Sequence, residues 1–171
     1  MKRVMTLLTA AALLAGLLAG CGSGSGETER TPEEWTQLYS TAITDARDEE
    51  TNEAYSILTS SDDDLFDLIL QTLGLTEEDM TAYAISMSLM NVQAYAVVAI
   101  LPAEGKTETV TSALQAYIDH TKASFEFYLP GPFEVASNAR LETLSDGTVL
   151  LVMCEDQDTV FDAISSAITA G

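Results

Sequence analysis

Apolar residues follow three different periods along this chain, and each period predicts a different element. Trp35, Leu38, Tyr39, Ala42, Ile43 and Ala46 recur at helical spacing and make one apolar face. The start of that helix is written in Thr31-Pro32-Glu33-Glu34, with a threonine to cap, a proline in the first helical position and a glutamate three residues after the threonine. Leu65, Phe66, Leu68, Ile69 and Leu73 predict a second helix, capped by Ser61-Asp62-Asp63-Asp64 and stopped at Gly74. Thr76-Glu77-Glu78-Asp79 repeats the capping signal for a short helical turn. From Tyr83 the period drops to two: Tyr83, Ile85, Met87 and Leu89 alternate with Ala84, Ser86 and Ser88, which predicts a strand with one buried face. Residues 93–101 are nearly continuous in apolar side chains and predict a second strand, joined to the first by a hairpin at Met90-Asn91-Val92 and ended by Pro102. Thr107 is placed to cap a long helix over 107–127, with Val110, Leu114, Tyr117, Ile118 and Phe125 inward. Residues 141–144 and 148–154 then flank Ser145-Asp146-Gly147, an Asp-Gly turn that signals a second hairpin. Asp156 or Asp158 caps a last helix that turns Val160, Phe161, Ile164 and Ile168 inward.

Two stretches carry no clear period. Residues 48–60 are expected to be a loop with a strand or turn near 55–58, and residues 128–139 (YLPGPFEVASNA) an irregular loop. The order of elements predicts an α+β fold: N-terminal helices, then hairpin, helix, hairpin, helix, forming a mostly antiparallel four-stranded sheet with helices on one face. The halves echo each other in order rather than in residues, so no repeat is inferred.

The start of the chain has a pattern of its own. Lys2 and Arg3 precede an apolar Ala/Leu-rich span that ends in Leu18-Ala19-Gly20-Cys21, the arrangement of a secretory signal peptide closed by a bacterial lipobox. The span is shorter than the ~20 residues needed to cross a bilayer. Cys21 is therefore expected to be the first mature residue, diacylated on sulfur, with the protein lipid-anchored at the cell membrane and facing outside the cytoplasm. Residues 1–20 are then a signal peptide, 21–30 (CGSGSGETER) a lipidated, flexible tether, and 31–171 a single α+β domain.

Charge narrows the partners. Seven basic residues stand against 27 acidic ones, a formal charge of −20; because Lys2 and Arg3 leave with the signal, five basic residues remain and the charge becomes −22. Nucleic acid needs clustered Lys and Arg, so it is excluded as a partner. An anionic bilayer repels such a domain, which leaves the lipid on Cys21 to hold it there. A basic peptide or an envelope protein is the kind of partner such a surface attracts.

Candidate chemistry is sparse. With Cys21 acylated, Cys154 has no disulfide partner, and it ends an apolar strand as a small buried side chain. His120 is the single histidine and falls at the edge of a helical stripe, without partners for a zinc set or a catalytic triad. The spacing of Asp62-Asp63-Asp64 lacks the alternating oxygens, glycine and late glutamate of a helix-loop-helix calcium site. No motif implies a metal or a cofactor. The irregular stretch at 128–139 is the best site for a ligand or partner, since binding residues concentrate on such segments. Its candidates are Tyr128, Pro130, Phe133 and Asn138, with Arg140 directly after it, either gripping a carboxylate ligand or held in an internal ion pair.

From about Leu65 onward the chain resembles a family of small lipoproteins, widespread in Gram-positive anaerobes, known only as a domain of unknown function. The resemblance is carried by Met90-Asn91-Val92-Gln93-Ala94-Tyr95, by Gln115, Ile118 and Ser124-Phe125, and by Tyr128, Asn138-Ala139-Arg140 and Gly147-Thr148-Val149. It implies a lipoprotein and supplies no activity, cofactor or catalytic residue. The expected function is thus a membrane-anchored extracytoplasmic binding or accessory module for an envelope protein or ligand, and not an enzyme. Two other classes stay open: a secreted hydrolase using Glu155-Asp156 and Asp158 as paired carboxylates, and a calcium-responsive structural protein of the envelope.

Overall fold

The computed structural model of the chain describes residues 30–170. The expected signal peptide, Cys21 and the Gly/Ser tract up to residue 29 lie outside the described residues. The elements run α1 (Pro32–Asp45), α2 (Glu49–Ala54), α3 (Phe66–Leu73), a 3-10 turn (Glu77–Asp79), β1 (Met80–Met87), β2 (Ala96–Pro102), α4 (Thr107–Phe125), α5 (Pro130–Ser137), β3 (Arg140–Thr143), β4 (Val149–Met153) and α6 (Gln157–Ala170). The α+β class, the two hairpins and their order agree with the periodicity. All four strands are antiparallel in the order β1-β2-β4-β3, so the hairpins join through their second strands.

The sheet is covered on both faces, which corrects the expectation of helices on one face. Pleating sends Ile85, Val98, Leu151 and the half-buried Leu141 to one side, where α3, α4 and α5 pack on them with Leu70, Leu114 and Ala136. Ala84, Ala99, Leu150 and Val152 face the other side, under α1 and α6 with Tyr39, Ile43, Phe161 and Ile164. The reason is visible in β2 and β4: every residue of β4 and the first five of β2 are buried. A strand apolar on both faces needs two covering layers. Because α4 and α6 follow equivalent hairpins yet lie on opposite faces, the halves are not related by the sheet's symmetry.

Local chemistry explains most boundaries. At α1, Thr31 Oγ1 accepts the Glu34 N–H while Glu34 Oε2 accepts the Thr31 N–H at 2.7 Å, a complete capping box followed by proline. Small Ala82, Ala84 and Ala99 leave room for the bulk of α1, and Tyr39 reaches across to the far hairpin. Its hydroxyl donates to Thr148 Oγ1 at 2.7 Å, and Thr148 in turn donates to Asp146 Oδ2 at 3.0 Å. Gly147 closes the β3–β4 turn at φ 90°, a conformation that favours glycine. The stretch expected as an irregular loop instead contains α5. Pro130 and Pro132 both sit in its first turn, where the missing N–H groups would have had no helical partner. Residues 49–54, expected as loop, form α2 because Asp48 caps it, its Oδ1 accepting the Thr51 N–H at 2.7 Å. Beyond it Leu58 bridges to Ile85 with two backbone bonds, shielding the β1 edge.

Asp79 ties the start of β1 to the start of α4. Its Oδ2 accepts the Thr76 N–H and hydroxyl at 2.9 and 2.7 Å, and its Oδ1 accepts Lys106 Nζ at 2.9 Å. The Thr76 hydroxyl, then Lys106, pull its carboxyl from 3.8 down to about 2. A depressed carboxylate contributes stability that is present above its unfolded value and lost as pH falls through the folded one. Asp79→Asn is therefore expected to cost about 1–3 kcal/mol in urea unfolding at neutral pH. Its deficit relative to wild type should shrink as pH drops from 3.8 through about 2. An unchanged deficit at low pH would place the effect in packing rather than charge.

Candidate functional site

Antiparallel pairing gathers distant segments at the end of the sheet marked by the β1–β2 turn. β1 ends there at Met87, β2 starts at Ala96 and β4 ends at Met153, paired with Ala96. A cavity of about 720 Å³ opens beyond these last pairs. The α1–α2 connection, residues 92–95, α5 and the β4–α6 junction surround it.

One wall is a pair of tyrosines. The rings of Tyr55 and Tyr95 stack at 3.8 Å between centroids and 10° between planes, and the Tyr55 hydroxyl donates to Gln93 Oε1 at 3.0 Å. Arg47 fixes the pair from behind. Its Nη1 donates to Ser86 Oγ at 2.7 Å and to the Tyr95 hydroxyl at 2.8 Å, while Nε and Nη2 both donate to Asn52 Oδ1, at 3.0 and 2.6 Å. Asn52 is itself oriented by donating to the Thr44 carbonyl at 3.0 Å. Arg47 thus has only neutral acceptors among the described residues, whereas Lys106 and Arg140 take carboxylates. Burial holds the Tyr95 hydroxyl above its ordinary pKa, with Arg47 opposing that shift.

The rim is acidic. Asp48, Glu134, Glu155 and Asp156 all line the cavity, against Arg47 as the single basic residue there. Cys154 also faces it, and burial pushes its thiol up to about 11, so it is protonated at neutral pH. Among the described residues no group of three or more His, Cys, Asp or Glu is placed to hold a metal ion. His120 is exposed on α4, and Asp63 spends its Oδ1 on the Leu65 N–H at 2.8 Å. A second recess of about 350 Å³, near the start of α1, is lined by hydroxyl side chains including Thr36, Ser40 and Thr81, with Glu33 as its one charge.

The residues singled out from sequence separate in space. Asn138 caps α5 and lines the cavity; Pro130 opens the same helix, one residue before the lining Gly131 and Pro132. Tyr128 stands 83% exposed ahead of α5, and Phe133 is half-buried within it. Arg140 does not line the cavity. It pairs with Glu142 and Asp162 at 2.8 Å and with Asp158 at 3.3 Å, its guanidinium 3.9 Å from the Phe161 ring centroid. Glu155 and Asp156 reach the rim, whereas Asp158 is spent on Arg140. Sequence reasoning missed Arg47, Asn52, Tyr55 and Tyr95. The signal that was available is Arg47 itself, a lone cation in a strongly acidic stretch.

Residues 53–154, more than half of the chain, match a family model described as a domain of unknown function (DUF4358). The chain belongs to this family. No curated protein and no solved structure matches it. The DUF4358 segment contains the whole sheet and α3 to α5 but neither α1 nor α6, and it includes Tyr55, Tyr95, Asn138 and Cys154 while leaving Arg47 and Asn52 outside.

Two outcomes follow from this geometry. Arg47→Met is expected to lower unfolding free energy by about 1–3 kcal/mol, and Arg47→Lys nearly as much, because a fork of donors rather than a charge is what the neutral oxygens require. Full rescue by lysine in urea unfolding would contradict that. A fragment of residues 53–154 bares the face under α1 and α6, so it should lack a cooperative thermal transition that the whole chain shows.

Proposed function

We propose that this DUF4358 protein is a lipid-anchored, extracytoplasmic binding or accessory module whose cavity at the β1–β2 turn end takes a ligand or a segment of an envelope protein. The observation that carries the reading is the cavity of about 720 Å³, with a stacked tyrosine wall held from behind by Arg47. Its aromatic faces and polar groups are fixed before anything binds, and preformed concave surfaces of that kind are how proteins hold partners. Burial keeps the Cys154 thiol protonated at neutral pH, which leaves it a small apolar part of the lining. The anchor rests on the sequence of residues 1–21, and among the described residues no helix is long and apolar enough to cross a membrane.

Two measurements in cells test the two parts. Cys21→Ala should move the protein from the membrane fraction to the medium; retention in the membrane would end the lipid-anchor reading. A photoreactive residue at Gln93 or Asn138 should give one dominant cross-linked species, absent when the probe sits at exposed Gln71 on α3. Equal, scattered labelling from all three positions would overturn the binding reading.

A further inference from the structure

The partner's chemistry is written on the same end of the molecule. Besides the acidic rim, that end carries most of the large apolar side chains that the described residues leave in water. Met90 (55% exposed) and Val92 (54%) sit in the β1–β2 turn beside Leu89. Phe127 (79%) and Tyr128 follow α4, which starts at the opposite end of the sheet after β2 and runs back to deliver them next to α5. Apolar groups exposed together around a cavity mark an interaction surface. The rim adds four carboxylates, and the one lining cation, Arg47, is already engaged by Asn52, Ser86 and Tyr95. Lys122, in the last turn of α4, and Arg140, at the start of β3 and already paired with Glu142, Asp158 and Asp162, are the other basic residues toward this end, so the local field stays negative.

The position of the N-terminus supplies the direction. α1 runs alongside β1 from its start to its end: Thr36 Oγ1 accepts the Tyr83 N–H, and Arg47 reaches Ser86. With 14 residues, α1 separates the two poles by about 21 Å. Arg30, lying over the Trp35 ring, is therefore at the pole opposite the cavity. Nine peptide units from Cys21 reach at most about 30 Å. A lipid on Cys21 would therefore attach the domain from the Arg30 pole and leave the cavity and its apolar rim free to meet a partner.

We infer that the cavity pole docks a cationic polypeptide segment of another extracytoplasmic protein, one that alternates lysine or arginine with aliphatic or aromatic side chains. Its basic groups meet Asp48, Glu134, Glu155 and Asp156, while its apolar groups cover Val92 and Tyr128 and enter beside the Tyr55–Tyr95 wall. The inference rests on the binding reading above and gives that reading a partner class. A lipid surface is disfavoured by charge, and a second copy of this chain is disfavoured because each processed chain carries a formal −22.

The test uses the full acylated chain in phosphatidylcholine nanodiscs, with empty discs as the blank, and a fluorescein-labelled peptide of about eight residues alternating lysine with leucine or tyrosine. Fluorescence anisotropy should give a Kd below about 100 µM at about 50 mM NaCl, weakened more than about fivefold at about 300 mM. A lysine–glycine peptide should bind at least about tenfold more weakly, and a glutamate–tyrosine peptide not measurably. Glu134→Gln with Glu155→Gln, and separately Val92→Asp with Tyr128→Asp, should each weaken binding at least about fivefold without moving the melting temperature. Glu33→Gln with Glu108→Gln, at the Arg30 pole, should change nothing. Equal losses from both poles would reduce the effect to bulk charge and overturn the assignment. Absence of peptide binding while Gln93 still cross-links one species in cells would overturn the cationic class and leave the binding reading intact; loss of both would remove both. Capture of the protein's cavity pole by phosphatidylglycerol vesicles, or a dimer in sedimentation abolished by Val92→Asp, would replace this partner with a membrane or a second copy.

Discussion

Everything in this domain depends on β2 and β4 being apolar on both faces. Two adjacent strands of that kind cannot be stable under a single layer of helices, because the uncovered side would hold Ala99, Leu150 and Val152 against water. Burying each Val or Leu side chain contributes roughly 1.5–3 kcal/mol, and the face holds several. The middle of the chain supplies one cover, α3 to α5, and the two ends supply the other, α1 and α6 side by side. The demand of two strands thus sets the place of the chain's first and last helices.

The same demand produces the cavity. Beyond Met87, Ala96 and Met153 the strands leave the sheet, and the two helical layers no longer have a slab between them. The gap is closed on one side by α5, only eight residues long, and on the other by the α1–α2 connection. What stiffens it is a guanidinium held by neutral oxygens. Placing a carboxylate there would require desolvating a second charge, whereas Asn52, Ser86 and Tyr95 satisfy four donor contacts without one. The rim carboxylates have no ion-pair partner among the described residues, and four of them stand around an aromatic wall.

Legibility followed burial. α1, α3, α4 and α6 were visible because one apolar stripe marks a helix whose other side is wet, and both hairpins because turn residues separate two apolar or alternating runs. The second helical layer was hidden in β2 and β4, since a continuous apolar run shows that a strand is buried but not what lies on each side. α5 was hidden by its prolines, which break a helix interior yet are harmless in a first turn. Of the site, Asn138 was legible as part of a stretch without a clear period, and Glu155 and Asp156 as carboxylates at a strand end. Tyr55 and Tyr95 were not, because they lie 40 positions apart and meet only through the β1 edge and the β1–β2 turn. Arg47 resembled any solvated charge after a helix until its partners were seen.

The family match adds a division of labour. The DUF4358 segment supplies the sheet, one helical layer and most of the cavity lining, including the stacked tyrosines. The residues that lock Tyr95 from behind, Arg47 in the connection between α1 and α2 and Asn52 within α2, lie outside that segment. Asp156, at the head of α6, is outside it as well. The stacked tyrosine wall and the clamp that holds it are therefore separate stretches of chain. The α1–α2 connection thus holds the Tyr95 hydroxyl and the Asp48 carboxylate, and neither residue belongs to a strand pair. The chain that leaves α1, one of the two helices burying the second face of the sheet, is in this way also what fixes the wall of the cavity.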